Sequence, residues 1–159
     1  SGGRTVSNSV YGDIQWAPMI PFVLLFREQG ENETRTITFR DNAEFPDGEH
    51  ALVESYCTDP KCDCQRVMLH VYCREMPDAG PLATIGYGFD RNADLAGPYL
   101  DPFYPQSEYA DAFLQIISSM LSGDHAYVTR LKAHYRQIKD ALADPDHPIH
   151  RTLAKLAER

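Results

Sequence analysis

The sequence predicts an α+β fold: a meandering antiparallel sheet of about five strands, then a helical hairpin and a short last helix. Three observations carry that expectation. Before residue 89, several segments alternate polar and apolar residues with a period of two. After Pro105 the apolar period changes to about 3.6. Between the periodic segments fall clusters of Gly, Pro, Asn and Asp, the residues that tight turns demand.

Residues 1–12, which open on Ser1-Gly2-Gly3-Arg4, read as a flexible tail or a remnant of expression, and residues 13–159 as a single domain. Pro18 and Pro21 keep the segment around them out of a helix. Phe22 to Glu28 is apolar at its start and rich in Val, Leu and Phe, which predicts a strand. Gln29-Gly30-Glu31-Asn32 then reads as a turn, and Arg35 to Arg40 as its partner strand, with Ile37 and Phe39 on one face. A second hairpin is expected from His50 to Cys57 and Gln65 to Arg74, joined by a turn marked by Asp59-Pro60. In it Val67, Leu69 and Val71 face one way, and Arg66, Met68, His70 and Tyr72 the other. Leu82 to Phe89 is the fifth strand, where Gly86 and Gly88 indicate a bulge or a close backbone approach. A loop from Asp90 to Pro105 leads into the helices.

The first helix has the stripe Tyr109, Phe113, Ile116, Ile117 and Met120, with Ser107 as its cap and Gly123 as its stop. Asp124 caps the second, whose stripe is Tyr127, Leu131, Tyr135, Ile138 and Leu142; Asp144-Pro145 ends it. Asp146 to Pro148 starts a short last helix carrying Ile149, Leu153 and Leu156. So short a link between the first two predicts antiparallel packing.

The composition narrows the function classes. With 43% apolar and 24% charged residues, the 159-residue chain can bury one ordinary core. Its longest apolar run, residues 21–26, falls far short of the roughly 20 residues that span a bilayer. No basic region followed by an apolar one marks the N-terminus, so a cytoplasmic protein is expected. The net charge of −8 argues against a general attraction to nucleic acid or anionic lipid. One stretch is locally basic. Between His125 and Leu142 stand Arg130, Lys132, Arg136 and Lys139 against a single acid, Asp140. By helical spacing Lys132, Arg136 and Lys139 share a face, which is either a solvated surface or a stripe for phosphate contacts.

The strongest chemical signal is Cys57-x4-Cys62-x-Cys64. Closely spaced cysteines in a reducing compartment are metal ligands or redox groups more often than disulfides. Zinc–thiolate bonds of about 2.3 Å place tetrahedral sulfurs about 3.8 Å apart, a separation one Pro-containing turn can supply. A Cys62–Cys64 disulfide would close a small, strained ring. Cys57, Cys62 and Cys64 are therefore predicted to bind a metal, with zinc expected. An iron–sulfur cluster is the alternative, but the plant-type [2Fe–2S] spacing Cys-x4-Cys-x2-Cys is one residue longer.

The fourth ligand is open among His134, Asp59, Asp63, a water and Cys73. On a continuous strand Cys73 would lie about 25–30 Å from Cys64, a placement that suits a small buried hydrophobe. His50 and His70 fail on the same ground. His134 stands three residues after Leu131 on the stripe side of its helix, where an imidazole needs either a metal or a hydrogen-bonding partner.

The segment from Glu54 to Val67 resembles the cysteine cluster of a group of uncharacterised bacterial proteins, some of which carry a SEC-C type zinc motif at the C-terminus. Looser similarity runs through Leu131 to Lys139, and the terminal Cys-rich motif has no counterpart here. The resemblance implies a metal site and no particular reaction.

Nothing else names an activity. Gly86-Tyr87-Gly88-Phe89-Asp90 lacks the Walker pattern, and neither Gly-x-Ser-x-Gly nor His-Glu-x-x-His occurs. Asp90, Asp94 and Asp101 have no spacing that pairs two carboxylates for acid–base work. The expectation is a small zinc-stabilised domain that binds a protein or a nucleic acid. The alternatives are a zinc-dependent hydrolase with an open metal position, using Asp59 or Asp63 as base, and nucleic-acid binding through the basic helix 125–142.

Overall fold

A computed structural model describes residues 4–9, 12–16 and 19–158, the first two stretches as backbone only. The chain order is β1 (Arg4–Ser9), β2 (Gly12–Trp16), β3 (Met19–Pro21), α1 (Phe22–Leu25), α2 (Arg27–Glu33), β4 (Arg35–Phe39), β5 (Gly48–Cys57), β6 (Arg66–Cys73), β7 (Ala83–Gly88), β8 (Tyr99–Leu100), α3 (Ala110–Gly123), α4 (His125–Ala143) and α5 (Ile149–Ala157). The fold is α+β, as the two periodicities predict. β1 and β2 pair with each other as a separate ribbon. The predicted tail therefore overlaps a paired strand, although residues 1–3, 10 and 11 lie outside the described ones.

The main sheet is antiparallel, in the order β3-β5-β6-β7-β8, with β4 also on β5. β5 is long enough to hold two partners along one edge: β4 pairs with Gly48–Leu52 and β3 with Ser55–Cys57. Between those two short strands the chain makes α1 and α2. This corrects the predicted first hairpin, because Phe22 to Glu28 is helical rather than extended and residues 29–32 lie inside α2 rather than in a turn. An apolar run so short carries no period, and strand propensity alone decided the prediction. What the chain obeys instead is Pro21 at the N-cap of α1, with Phe22, Leu25 and Phe26 then at helical spacing. Gly30 was read as a turn former but serves a close approach. A Cβ there would stand 2.6 Å from the Val23 Cα, so α2 lies on α1 only because the side chain is missing.

Strand alternation supplies one wall of the core. Leu52 and Tyr56 of β5, Val67, Leu69 and Val71 of β6, and Ala83 and Ile85 of β7 are all buried on one sheet face. Phe113, Ile117 and Leu121 of α3 and Tyr127, Leu131, Tyr135 and Ile138 of α4 supply the other. The α4 stripe is the predicted one, and Asp124 caps that helix by accepting a hydrogen bond from the Tyr127 N–H at 3.0 Å. The Asp124 carboxylate also meets Arg35 at 2.9 Å, tying β4 to α4. Ser107 stops short of capping α3: it turns the chain before the helix, donating to the Leu82 carbonyl at 2.7 Å. Gly86 is the predicted close approach, since a Cβ there would meet the Tyr99 ring at 2.7 Å.

Candidate metal centre

β5 ends in Cys57, β6 begins at Arg66, and the loop between them carries Cys62 and Cys64. Its shape follows from local chemistry. Asp59-Pro60-Lys61-Cys62 is a turn closed by the Cys62 N–H on the Asp59 carbonyl at 3.1 Å, with Pro60 at the position that favours its fixed φ. The Asp59 carboxylate accepts from the Lys61 N–H at 2.9 Å, which stiffens the same turn. Gln65 takes the left-handed region at φ 51° and swings the chain back into β6.

Helix α4 then holds the loop from the side. Tyr135 donates to the Asp63 carboxylate at 2.7 Å and accepts from the Gln65 N–H at 3.0 Å. One turn further on, Lys139 donates to the Asp59 carbonyl at 2.9 Å. Residues four apart on a helix share a face, so a single face of α4 grips the loop at both ends.

All four cysteines are free thiols. The sulfurs of Cys57, Cys62 and Cys64 lie within 4.8 Å of one another, a group that could hold a metal ion. Cys57 is buried, while Cys62 and Cys64 are half-buried at the protein's edge. A hydrogen bond from Cys64 brings the Cys57 thiol down to about 5 against its burial, helped by the Asp59 N–H and the charge of Lys139. The same bond, burial and the neighbouring sulfurs push Cys64 well up.

The candidates for a fourth ligand are placed elsewhere or already engaged. Cys73 sits opposite His50 at the far end of the β5–β6 ladder, buried as a small hydrophobe. Asp59 and Asp63 spend their carboxylates on Lys61 and Tyr135. His134 is buried on α4, but both ring nitrogens are taken: Nδ1 meets Glu54 at 2.6 Å and Nε2 meets Glu33 at 2.5 Å. Its ring stacks on Phe22 at 3.9 Å between centroids. Of the two expectations for this imidazole, the hydrogen-bonding partner is the one met, by two carboxylates. Glu54 was legible in the alternation of β5, because Leu52, Glu54 and Tyr56 share the core face and a buried carboxylate needs a partner. Glu33 leaves no such signal, since it falls between the turn expected at residues 29–32 and the strand expected from Arg35.

The basic stretch divides. Lys139 belongs to the cysteine loop, Arg130 lies against the Tyr127 ring at 5.9 Å, and Lys132 and Arg136 remain exposed. Among the described residues no helix is long and apolar enough to cross a membrane. No protein-family model, no curated protein and no solved structure matches this chain.

Proposed function

We propose that Cys57, Cys62 and Cys64 hold one structural zinc ion, and that the chain is a small zinc-stabilised binding or interaction domain. The observation that carries this reading is the trio of sulfurs within 4.8 Å on a loop gripped by α4. A modest contraction brings such sulfurs to zinc–thiolate distances.

Zinc is preferred over an iron–sulfur cluster because the fourth cysteine is buried at the opposite end of β6. Binding is preferred over hydrolysis on two grounds. Three thiolates weaken the Lewis acidity of the metal. Asp59 and Asp63, the nearby bases, are engaged, and the Tyr135 hydroxyl holds the Asp63 carboxyl below its usual range. The partner is a protein more readily than a nucleic acid. With Lys139 on the cysteine loop, the α4 stripe offers Lys132 and Arg136 as its exposed cations, on a chain of charge −8.

The test combines metal content with thermal unfolding. Protein purified without added metal should carry one zinc per chain. A strong chelator should lower the Tm by roughly 6–12 °C, the shift that about 3 kcal/mol produces in a domain of this size. Metal-free protein with a chelator-independent melt would overturn the reading.

A further inference from the structure

Resting on that zinc site, we propose that the chain supplies three of its four ligands and leaves the last position for a thiolate from outside. Protein sites for zinc are almost always four-coordinate, so a site with three donors takes its fourth from somewhere. Each nitrogen or sulfur donor of this chain can be followed in turn. The sequence has no histidine or cysteine before His50, so the N-terminal ribbon has neither to offer. His50 is enclosed by Phe39 and Phe113, and His70 bonds Thr84 at 3.1 Å from the β6 strand. His134 is clamped by Glu33 and Glu54. His147, in the turn before α5, accepts from the Ile149 N–H, and His150, in the first turn of α5, bonds the Asp144 carbonyl. His125 begins α4, 14 residues before Lys139, or about 21 Å along the axis from the end that meets the cluster. Among the described residues only three donors converge.

The surroundings favour an anionic sulfur in the remaining place. Cys62 and Cys64 are half-buried, and Pro60, Lys61, Asp63 and Gln65 beside them are exposed, so the cluster opens toward solvent. Zinc with three thiolates carries one net negative charge, and a fourth thiolate makes it two. Lys139 donates to the Asp59 carbonyl of this loop at 2.9 Å, so a fixed positive charge already flanks the cluster. Soft sulfur is also what a metal held by thiolates selects. On binding, the incoming thiol loses its proton to solvent as its sulfur–metal bond forms; no electrons are exchanged. A second copy of the chain is a poor source, because its one spare cysteine, Cys73, is 3% exposed.

The experiment uses the full chain carrying one Co(II) in place of zinc, titrated with glutathione and, separately, with a terminally blocked peptide containing one cysteine. Their serine counterparts serve as controls. The thiolate-to-Co(II) charge-transfer absorption should rise by about a third as a fourth thiolate joins three. The serine probes should leave it unchanged. A response to both thiols marks a site open to any small thiol, and a response to the peptide alone marks a partner's cysteine; either supports the proposal. A charge-transfer band that ignores both thiols overturns this inference and spares the metal site. Absence of any such band overturns the metal reading as well. The Cys73→Ser variant should titrate like the parent; a response that appears in that variant and not in the parent would place the fourth ligand inside the chain and overturn the inference.

Discussion

A carboxylate on the core face of a strand has to find partners, and Glu54 finds two. Tyr56 donates to it at 2.7 Å, and His134 meets the same oxygen at 2.6 Å. On the other side of the imidazole, Glu33 closes a clip that joins α2, α4 and β5. Burial alone would lower the His134 pKa, but the hydrogen bonds and charges of Glu54 and Glu33 outweigh it and hold it above the ordinary 6.5. Its stabilising contribution is therefore complete below about pH 6.5 and fades as pH climbs through the raised folded value. Glu33 works in the opposite sense. His134 lowers its pKa, so its contribution is present above the ordinary 4.5 and is lost as pH falls through the depressed value. The clip should hold best between those limits. His134→Gln should cost about 3 kcal/mol in urea unfolding at pH 6, because it leaves a buried carboxylate without its cation. The difference from the parent should narrow at alkaline pH; a constant penalty from pH 5 to 9 would mean the imidazole is not charged in the folded protein.

Among the elements, α4 does two jobs with adjacent faces: one closes the core, the other grips the cysteine loop through Tyr135 and Lys139. Tyr135→Phe keeps the ring and removes the hydroxyl that bridges Asp63 and Gln65. Zinc affinity, read by competition with a chromophoric chelator, should fall about 10–100-fold, as it does when groups that orient metal ligands are lost. Unchanged affinity would show that the loop holds its shape unaided. At the other end of the chain, α1 and α2 depend on Gly30. Alanine is the better helix former by about 1 kcal/mol, yet its Cβ would stand 2.6 Å from the Val23 backbone. Gly30→Ala should therefore destabilise by about 1–3 kcal/mol through overpacking; a gain in stability would mean that α1 and α2 do not meet this way.

Over the whole molecule, the elements with sustained period were legible and the short one was not. The β5 and β6 strands and the α4 stripe follow directly from alternation and from 3.6-residue spacing. The segment around Phe22 and Gly30 was lost because its helices are short and its glycine answers to a contact rather than to local geometry. The site divides in the same manner. Cys57 ends β5 and Cys62 and Cys64 follow on the adjoining loop, so their spacing within eight residues is enough to bring them together. The pairs that hold the loop, Tyr135 with Asp63 and Lys139 with Asp59, are 72 and 80 residues apart and leave no mark in a local pattern. The fold thus places the cluster where the loop end of the β5–β6 hairpin meets α4, and a cation there would fasten sheet to helix.

X-ray absorption at the zinc edge of the purified chain addresses that fastening most directly. Three sulfur neighbours at about 2.3 Å are expected, reduced to two in Cys57→Ser, Cys62→Ser or Cys64→Ser. A first shell dominated by nitrogen or oxygen, or one that keeps its sulfurs when those cysteines are replaced, would contradict the account.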